Sequence, residues 1–160
     1  MKIYISASEG LNALPGVVTE RLDNIIKLGY TIIICNKDGS DGLIKRHLSD
    51  MGYDKVALYC FECESAERDY GWPTVDVMDN CGFSVSTIDP VTEALISDAD
   101  YGLVIWSLRD NSVLLIVSEL IRSGKSALIY SIHAQRFYIV SSESGIVEMV
   151  VDSFRYLNAW

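Results

Sequence analysis

A three-layer α/β sandwich around a mainly parallel sheet is the fold this sequence predicts, and three observations predict it. Short apolar, β-branched runs recur along the chain, of which TIIIC at 31–35 is the clearest. Such runs suit strands covered on both faces. Amphipathic stretches of helical length separate them. Residues 98–130 then set strand (103–106), turn (107–112), helix (113–122) and strand (127–130) in the order of a βαβ unit. Repeated alternation of this kind predicts helices on both faces of a parallel sheet.

The elements follow in chain order. Residues 2–6 alternate and stop at a small polar turn, as a central strand does. Residues 15–28 form an amphipathic helix with Val18, Leu22, Ile25, Ile26 and Leu28 on one face, Glu20, Arg21 and Asp23 on the other, and Gly29 at its end. After the strand at 31–35, Asn36-Lys37-Asp38-Gly39-Ser40 is turn chemistry, and Asp41 is placed to cap a helix running to about Met51. A third strand covers 55–60. Residues 62–86 have no sustained period and read as an irregular segment. Asp89 and Pro90 open a short helix as cap and first residue. Beyond the βαβ unit, 136–141 reads as a further strand and 143–157 as a last amphipathic helix.

Composition narrows the classes of function. The chain has 160 residues, enough for one domain spanning 1–160, and 49% of them are hydrophobic, which argues for a filled core and against disorder. Its net charge of −9 disfavours nucleic acid as a partner, because a strand of nucleic acid needs a cationic track. No uninterrupted apolar run reaches the roughly 18–20 residues of a membrane span, so no membrane association is expected. The start MKIYIS lacks the pattern of a secretory signal, and a cytoplasmic location is expected. Cys60 and Cys63 form a CxxC pair, with Cys35 and Cys81 elsewhere. One pair does not supply the four ligands of a zinc site, and reduced, partly buried thiols with no bound metal are expected. No other cofactor is implied.

In parallel sheets ligands bind at the carboxyl ends of the strands. That rule nominates three turns, at 7–11, 36–41 and 107–112. The last meets the N-terminus of a helix, whose free N–H groups and dipole favour an anion. It has no glycine between Gly102 and Gly124, so a Gly-rich phosphate cradle is absent.

With these motifs in view, the chain resembles the SLOG superfamily, Rossmann-like proteins related to the cytokinin-activating LOG and DNA-processing-A proteins and more remotely to nucleoside deoxyribosyltransferases. The matching pieces are MKIYISAS, CNKDGSDGLIKRHLSDMGY, VALYCFE with RDYGW beyond it, and SDADYGLVIW, spread from residue 1 to about 130. The resemblance implies a Rossmann-like sandwich with core strands in the order 3-2-1-4-5. It also implies a ligand of the nucleoside or nucleotide class at the nominated turns. Relatives place a Gly or Ser followed by a Ser or Arg in the first turn, and here it is Ser6-Ala7-Ser8. Gly39 and Asp41 match their second-turn pattern. At the fourth strand the family's Asp-Gly and Gly-Thr pairs are replaced by Ser107-Leu108 and Ser112-Val113. The glutamate that enzymatic branches carry in the next helix is Ile116, with Glu119 a turn later.

The nominated ligand set is therefore Ser6, Ser8, Gly39, Asp41, Ser107, Arg109 and Ser112, with Arg109 as the main phosphate contact through its planar fork. Glu119 is the one catalytic candidate, with Arg122 placed to pair with it on the helix surface. Arg68 and Trp72 fall where an aromatic ring would stack on a base or pack the loop against the sheet. His47 and His133 have no partner in sequence that suggests a nucleophile–base pair. Three functions follow from these residues: binding of a nucleotide or nucleotide-derived small molecule, cleavage or transfer at the N-glycosidic bond of a nucleoside or its monophosphate, and protein interaction without catalysis. The consecutive apolar run from Val113 to Val117 makes its helix apolar over more than one face. That helix and 143–157 predict a homodimer burying at least one of them.

Overall fold

The computed structural model describes residues 1–37, 39–61, 70–77 and 88–156. Seven strands form one sheet: β1 (Lys2–Ala7), β2 (Thr31–Cys35), β3 (Val56–Cys60), β4 (Thr74–Asp76), β5 (Tyr101–Trp106), β6 (Ser126–Ser131) and β7 (Arg136–Val140). The helices are α1 (Gly16–Lys27), α2 (Asp41–Asp50), α3 (Pro90–Asp98), α4 (Ser112–Arg122) and α5 (Glu143–Arg155). Across the sheet the strands run β4-β3-β2-β1-β5-β6-β7. All neighbours are parallel except β6 and β7, which pair antiparallel.

The α/β class and the mainly parallel sheet follow the sequence pattern. The order 3-2-1-4-5 does not describe the whole sheet, because a strand is added at each edge. β4 arises inside the segment read as irregular: three residues extend against β3, where backbone pairing (Leu58 opposite Thr74, Cys60 opposite Asp76) replaces local propensity. β7 turns back as a hairpin on β6 and closes the opposite edge.

Strand alternation builds the two halves of the core. Ile3, Ile5, Ile32, Ile34, Leu103 and Ile105 pack under α1 and α2, meeting Val18, Leu22, Ile25, Ile44 and Leu48. Tyr4, Ile33, Val104, Trp106 and Ile129 face the other way, against Val91 and Leu95 of α3, Val113, Val117 and Leu120 of α4, and Met149 of α5. Leu28, expected on the apolar face of α1, is exposed because it lies beyond the last helical turn. Gly102 lets α4 close on the sheet: a Cβ there would stand 2.5 Å from Leu120 Cδ1.

The run Val113–Val117 is resolved by its neighbours. Val113 and Val117 are buried, Leu114 and Ile116 are partly covered, and Leu115 is exposed. α4 lies between α3 and α5 and packs on both, so most of its apolar surface is covered within one chain. No helix among the described residues is long and apolar enough to cross a membrane.

β1 is the turning point of the topology. From it the chain builds outward through β2, β3 and β4, then returns to place β5 on its other side. Such a reversal leaves a crevice at the carboxyl ends of the strands.

Candidate functional site

A pocket of about 230 Å³ occupies that crevice. β1 contributes Tyr4 and Ser6, β2 contributes Cys35, and the N-terminal turns of α2, α3 and α4 contribute Asp41, Thr92 and Ser112. Glu9, Lys37, Asp89 and Asp110, from the loops between them, complete its polar lining among the described residues. Val113, Leu115 and Ile116 give one side an apolar wall.

Two of the three helix N-termini, those of α3 and α4, donate to a carboxylate of the chain itself. At α3, Asp89 is the cap: its Oδ1 accepts the Thr92 N–H at 3.0 Å, and its Oδ2 accepts the Thr92 hydroxyl at 2.7 Å. At α4 the carboxylate comes from Asp110. Its Oδ1 accepts the Ser112 N–H at 3.0 Å and the Ser112 hydroxyl at 2.5 Å, while Oδ2 accepts the Glu9 N–H at 3.1 Å. Asn111, in the cap position, makes no side-chain cap bond. The N–H groups expected to wait for a ligand anion are thus partly taken by an internal one.

At α2 the local reading is corrected. Asp41 does not cap its own helix; its Oδ1 reaches across the crevice to accept the Ala7 N–H of β1 at 3.0 Å. Ser40, in the cap position, makes no cap bond either, and its Oγ accepts the Leu11 N–H at 3.0 Å. Both side chains tie the first turn to the second instead of stabilising the helix.

The electrostatics follow from this crowding. The Asp41 carboxyl lies low in the pocket, and desolvation pushes it up to about 7, against the favourable Ala7 N–H and Lys45 and with a further push from Glu9. Asp89 is also partly desolvated, but the bonds from Thr92 and the nearby Lys37 outweigh that and hold it below the ordinary carboxylate range. Lys37 Nζ lies 3.9 Å from Asp89 Oδ2. Burial pushes the Cys35 thiol up to about 11, so it lines the pocket as a protonated, weakly nucleophilic group. The Glu9 carboxylate lies against Gly39, whose φ is +103°; a Cβ at that position would come within 2.6 Å of Glu9 Oε2. Here glycine is required both by its conformation and by close approach.

The nominated residues do not all meet at the pocket. Ser6, Asp41 and Ser112 line the pocket, and Gly39 borders it through Glu9. Ser8 is fully buried, and its Oγ accepts the Ser107 N–H at 2.9 Å. Those two residues lock the first turn to the turn after β5. Arg109 is exposed, is not among the described lining residues, and makes no ion pair among them. Glu119 pairs with Arg122 at 2.7 Å and lines a separate cleft with Glu93, Ser97 and Lys125.

Outside the pocket, Trp72 donates its Nε1–H to the Tyr53 carbonyl at 2.8 Å and stacks on Tyr70 at 4.8 Å. Arg68 lies outside the described residues. His47 bonds Asp23 at 2.9 Å, joining α2 to α1, and His133 Nδ1 has no hydrogen-bond partner among the described residues. Cys60 is disulfide-bonded, which corrects the expectation of reduced thiols for that residue. Cys63 and Cys81 lie outside the described residues. No group of three or more His, Cys, Asp or Glu among the described residues is arranged to hold a metal ion.

Glu9, Lys37 and Asp110 lie inside the three nominated turns without having been singled out, whereas Tyr4, Cys35, Asp89 and Thr92 lie outside them. Asp110 had a local signal, an aspartate two residues before the serine that opens a helix. Asp89 was read as a cap, and the same placement that makes it one puts it on the crevice. No family model, no curated protein and no solved structure matches this chain.

Proposed function

We propose that the pocket binds a nucleoside-type small molecule, a nucleotide-derived ligand that presents sugar hydroxyls and not a phosphate to the carboxylates. The observation that carries this reading is the set Asp41, Asp89 and Asp110 at three helix N-termini around one crevice. Carboxylates at this edge of a Rossmann-like sheet accept hydrogen bonds from ribose hydroxyls. A phosphate entering here would meet four carboxylates, counting Glu9, against the single ammonium of Lys37 among the described lining residues. Val113, Leu115 and Ile116 offer an apolar wall for a base. The SLOG resemblance supports the same ligand class.

A second reading is favoured by one further observation. A carboxyl titrating near neutrality in a pocket suits general acid–base work, and Asp41 is such a group. In that reading the protein cleaves or transfers at the N-glycosidic bond, with Asp41 in place of Glu119 as the candidate acid or base.

A thermal-shift screen against nucleosides, nucleotides, NAD derivatives and cyclic dinucleotides tests the proposal. Nucleosides are expected to raise the melting temperature, since a ligand at a hundred times its Kd adds about 2.7 kcal/mol to stability. A screen in which only phosphorylated compounds stabilise the protein contradicts it. Release of free base during incubation with a stabilising nucleoside selects the second reading.

A further inference from the structure

We infer that the outer face of α5 pairs with the same face of a second copy of this chain, the two helices running antiparallel about a two-fold axis near Val151. Val147, Val151 and Phe154 recur at i, i+4 and i+7 and are 62%, 48% and 48% exposed. The fold uses the opposite side of the helix, where Met149 and Ser153 are buried and Ile146 packs on the core. α5 is therefore apolar on two sides and covered on one.

The neighbouring α4 carries one further exposed apolar residue, Leu115. Arg122 Nε lies 3.7 Å from Glu143 Oε1, joining the end of α4 to the start of α5. The two helices pack antiparallel, which puts exposed Leu115, early in α4, at the same end as Phe154, late in α5. Exposed apolar surface at this spacing marks an interaction site.

The charges beside the stripe identify the occupant as a second copy. Glu148 and Arg155 are seven residues apart, two turns on one flank, with Val151 between them. Both are exposed, and neither is in an ion pair among the described residues. The other charged groups of α5 are engaged: Glu143 with Arg122, and Asp152 with Arg136 and the Tyr138 hydroxyl. In an antiparallel pair centred near Val151, Glu148 meets Arg155 of the second copy, and symmetry repeats the contact. On the other flank Val147 meets Phe154 of the second copy. A parallel two-fold pair would instead set the Glu148 and Arg155 flank against the apolar Val147 and Phe154 flank, leaving both charges without a partner. The pattern is self-complementary, as an isologous interface requires.

Sedimentation velocity on the intact protein at tens of micromolar tests the inference. A species of twice the 17.8 kDa chain mass is expected. Val151→Asp is expected to give the monomer with an unchanged circular dichroism spectrum. Glu148→Arg, which sets like charges across the axis twice, is expected to weaken dimerisation about five- to tenfold, and adding Arg155→Glu is expected to restore it. If Val151→Asp disturbs the fold, the charge pair decides alone. A wild-type monomer overturns the inference. So does a dimer indifferent to Val151→Asp in the folded state, or a double charge swap no tighter than the single one.

Discussion

At the carboxyl edge of the sheet, charged and polar groups gather around one desolvated carboxyl, Asp41, and bond to one another. On the outer face of α5, apolar side chains stand exposed at helical spacing. Both regions depart from the usual distribution of residues, where charge stays outside and large apolar patches are covered. They differ in how they are held. The edge is fixed by bonds between distant parts of the chain: Asp41 to Ala7, Ser40 to Leu11, Ser8 to Ser107 and Asp110 to Glu9. Desolvating a carboxyl in this way costs stability unless bonds offset it, and a site that keeps Asp41 near neutral pKa carries part of that cost. Among the described residues the α5 face carries no such bonding across its stripe, and in the proposed dimer its surface is covered by a second copy. A desolvated carboxyl at the edge points to a small ligand in a preorganised pocket, while unused apolar surface points to a macromolecular contact.

The strongest way to sharpen this contrast is to neutralise Asp41. Its carboxyl titrates near 7 in the folded chain, against 3.8 ordinarily. Below about pH 4 both states hold the proton and the group imposes no cost. Between 4 and 7 the unfolded chain releases it first, so stability falls as pH rises, and the full loss is present above 7. Asp41→Asn keeps an oxygen to accept the Ala7 N–H and never ionises. It is expected to be more stable than the wild type at pH 8 by roughly 2–4 kcal/mol, with the difference vanishing near pH 4. Chemical denaturation at both pH values checks this, and a difference that does not grow with pH contradicts a desolvated carboxyl.

A smaller effect is expected at Gly39. Alanine there meets a φ of +103° and the Glu9 carboxylate at once. Glu9 is the flexible end of a side chain and can swing aside, so the cost is mainly conformational, about 1–3 kcal/mol. Gly39→Ala is also expected to weaken ligand binding by displacing Glu9, whereas a substitution confined to the α5 stripe leaves binding in the pocket unchanged. Urea denaturation paired with a ligand titration separates the two regions, and an equal loss of ligand affinity from both variants breaks the comparison.

Much of the scaffold was legible in the sequence because its signals are local. The β-branched run at Thr31–Cys35, the Asp89-Pro90 helix start and the strand–turn–helix–strand order around Trp106 need no distant partner to be read. β4 was not legible, since three residues following Pro73 become a strand only when β3 offers its edge. The site was half legible. Ser6, Asp41 and Ser112 sit at turns that topology alone nominates. Arg109 was favoured because a lone arginine over a helix N-terminus attracts an anion, but the adjacent Asp110 turns inward and fills that place itself. Glu9 and Lys37 lie in turns that topology also nominates, but which residues of those turns face the pocket depends on cross-crevice bonds that no sequence period encodes.

The claim at the centre of this account is that the chain's own carboxylates replace a ligand phosphate at the helix N-termini. Calorimetric titration of a stabilising nucleoside and of its 5′-monophosphate, against the wild type and Asp110→Ala, tests it most directly. The wild type is expected to bind the nucleoside more tightly than the monophosphate. Asp110→Ala removes one carboxylate and frees the Ser112 and Glu9 N–H groups, so the gap is expected to narrow. A wild-type protein that prefers the monophosphate with Asp110 in place would contradict the account.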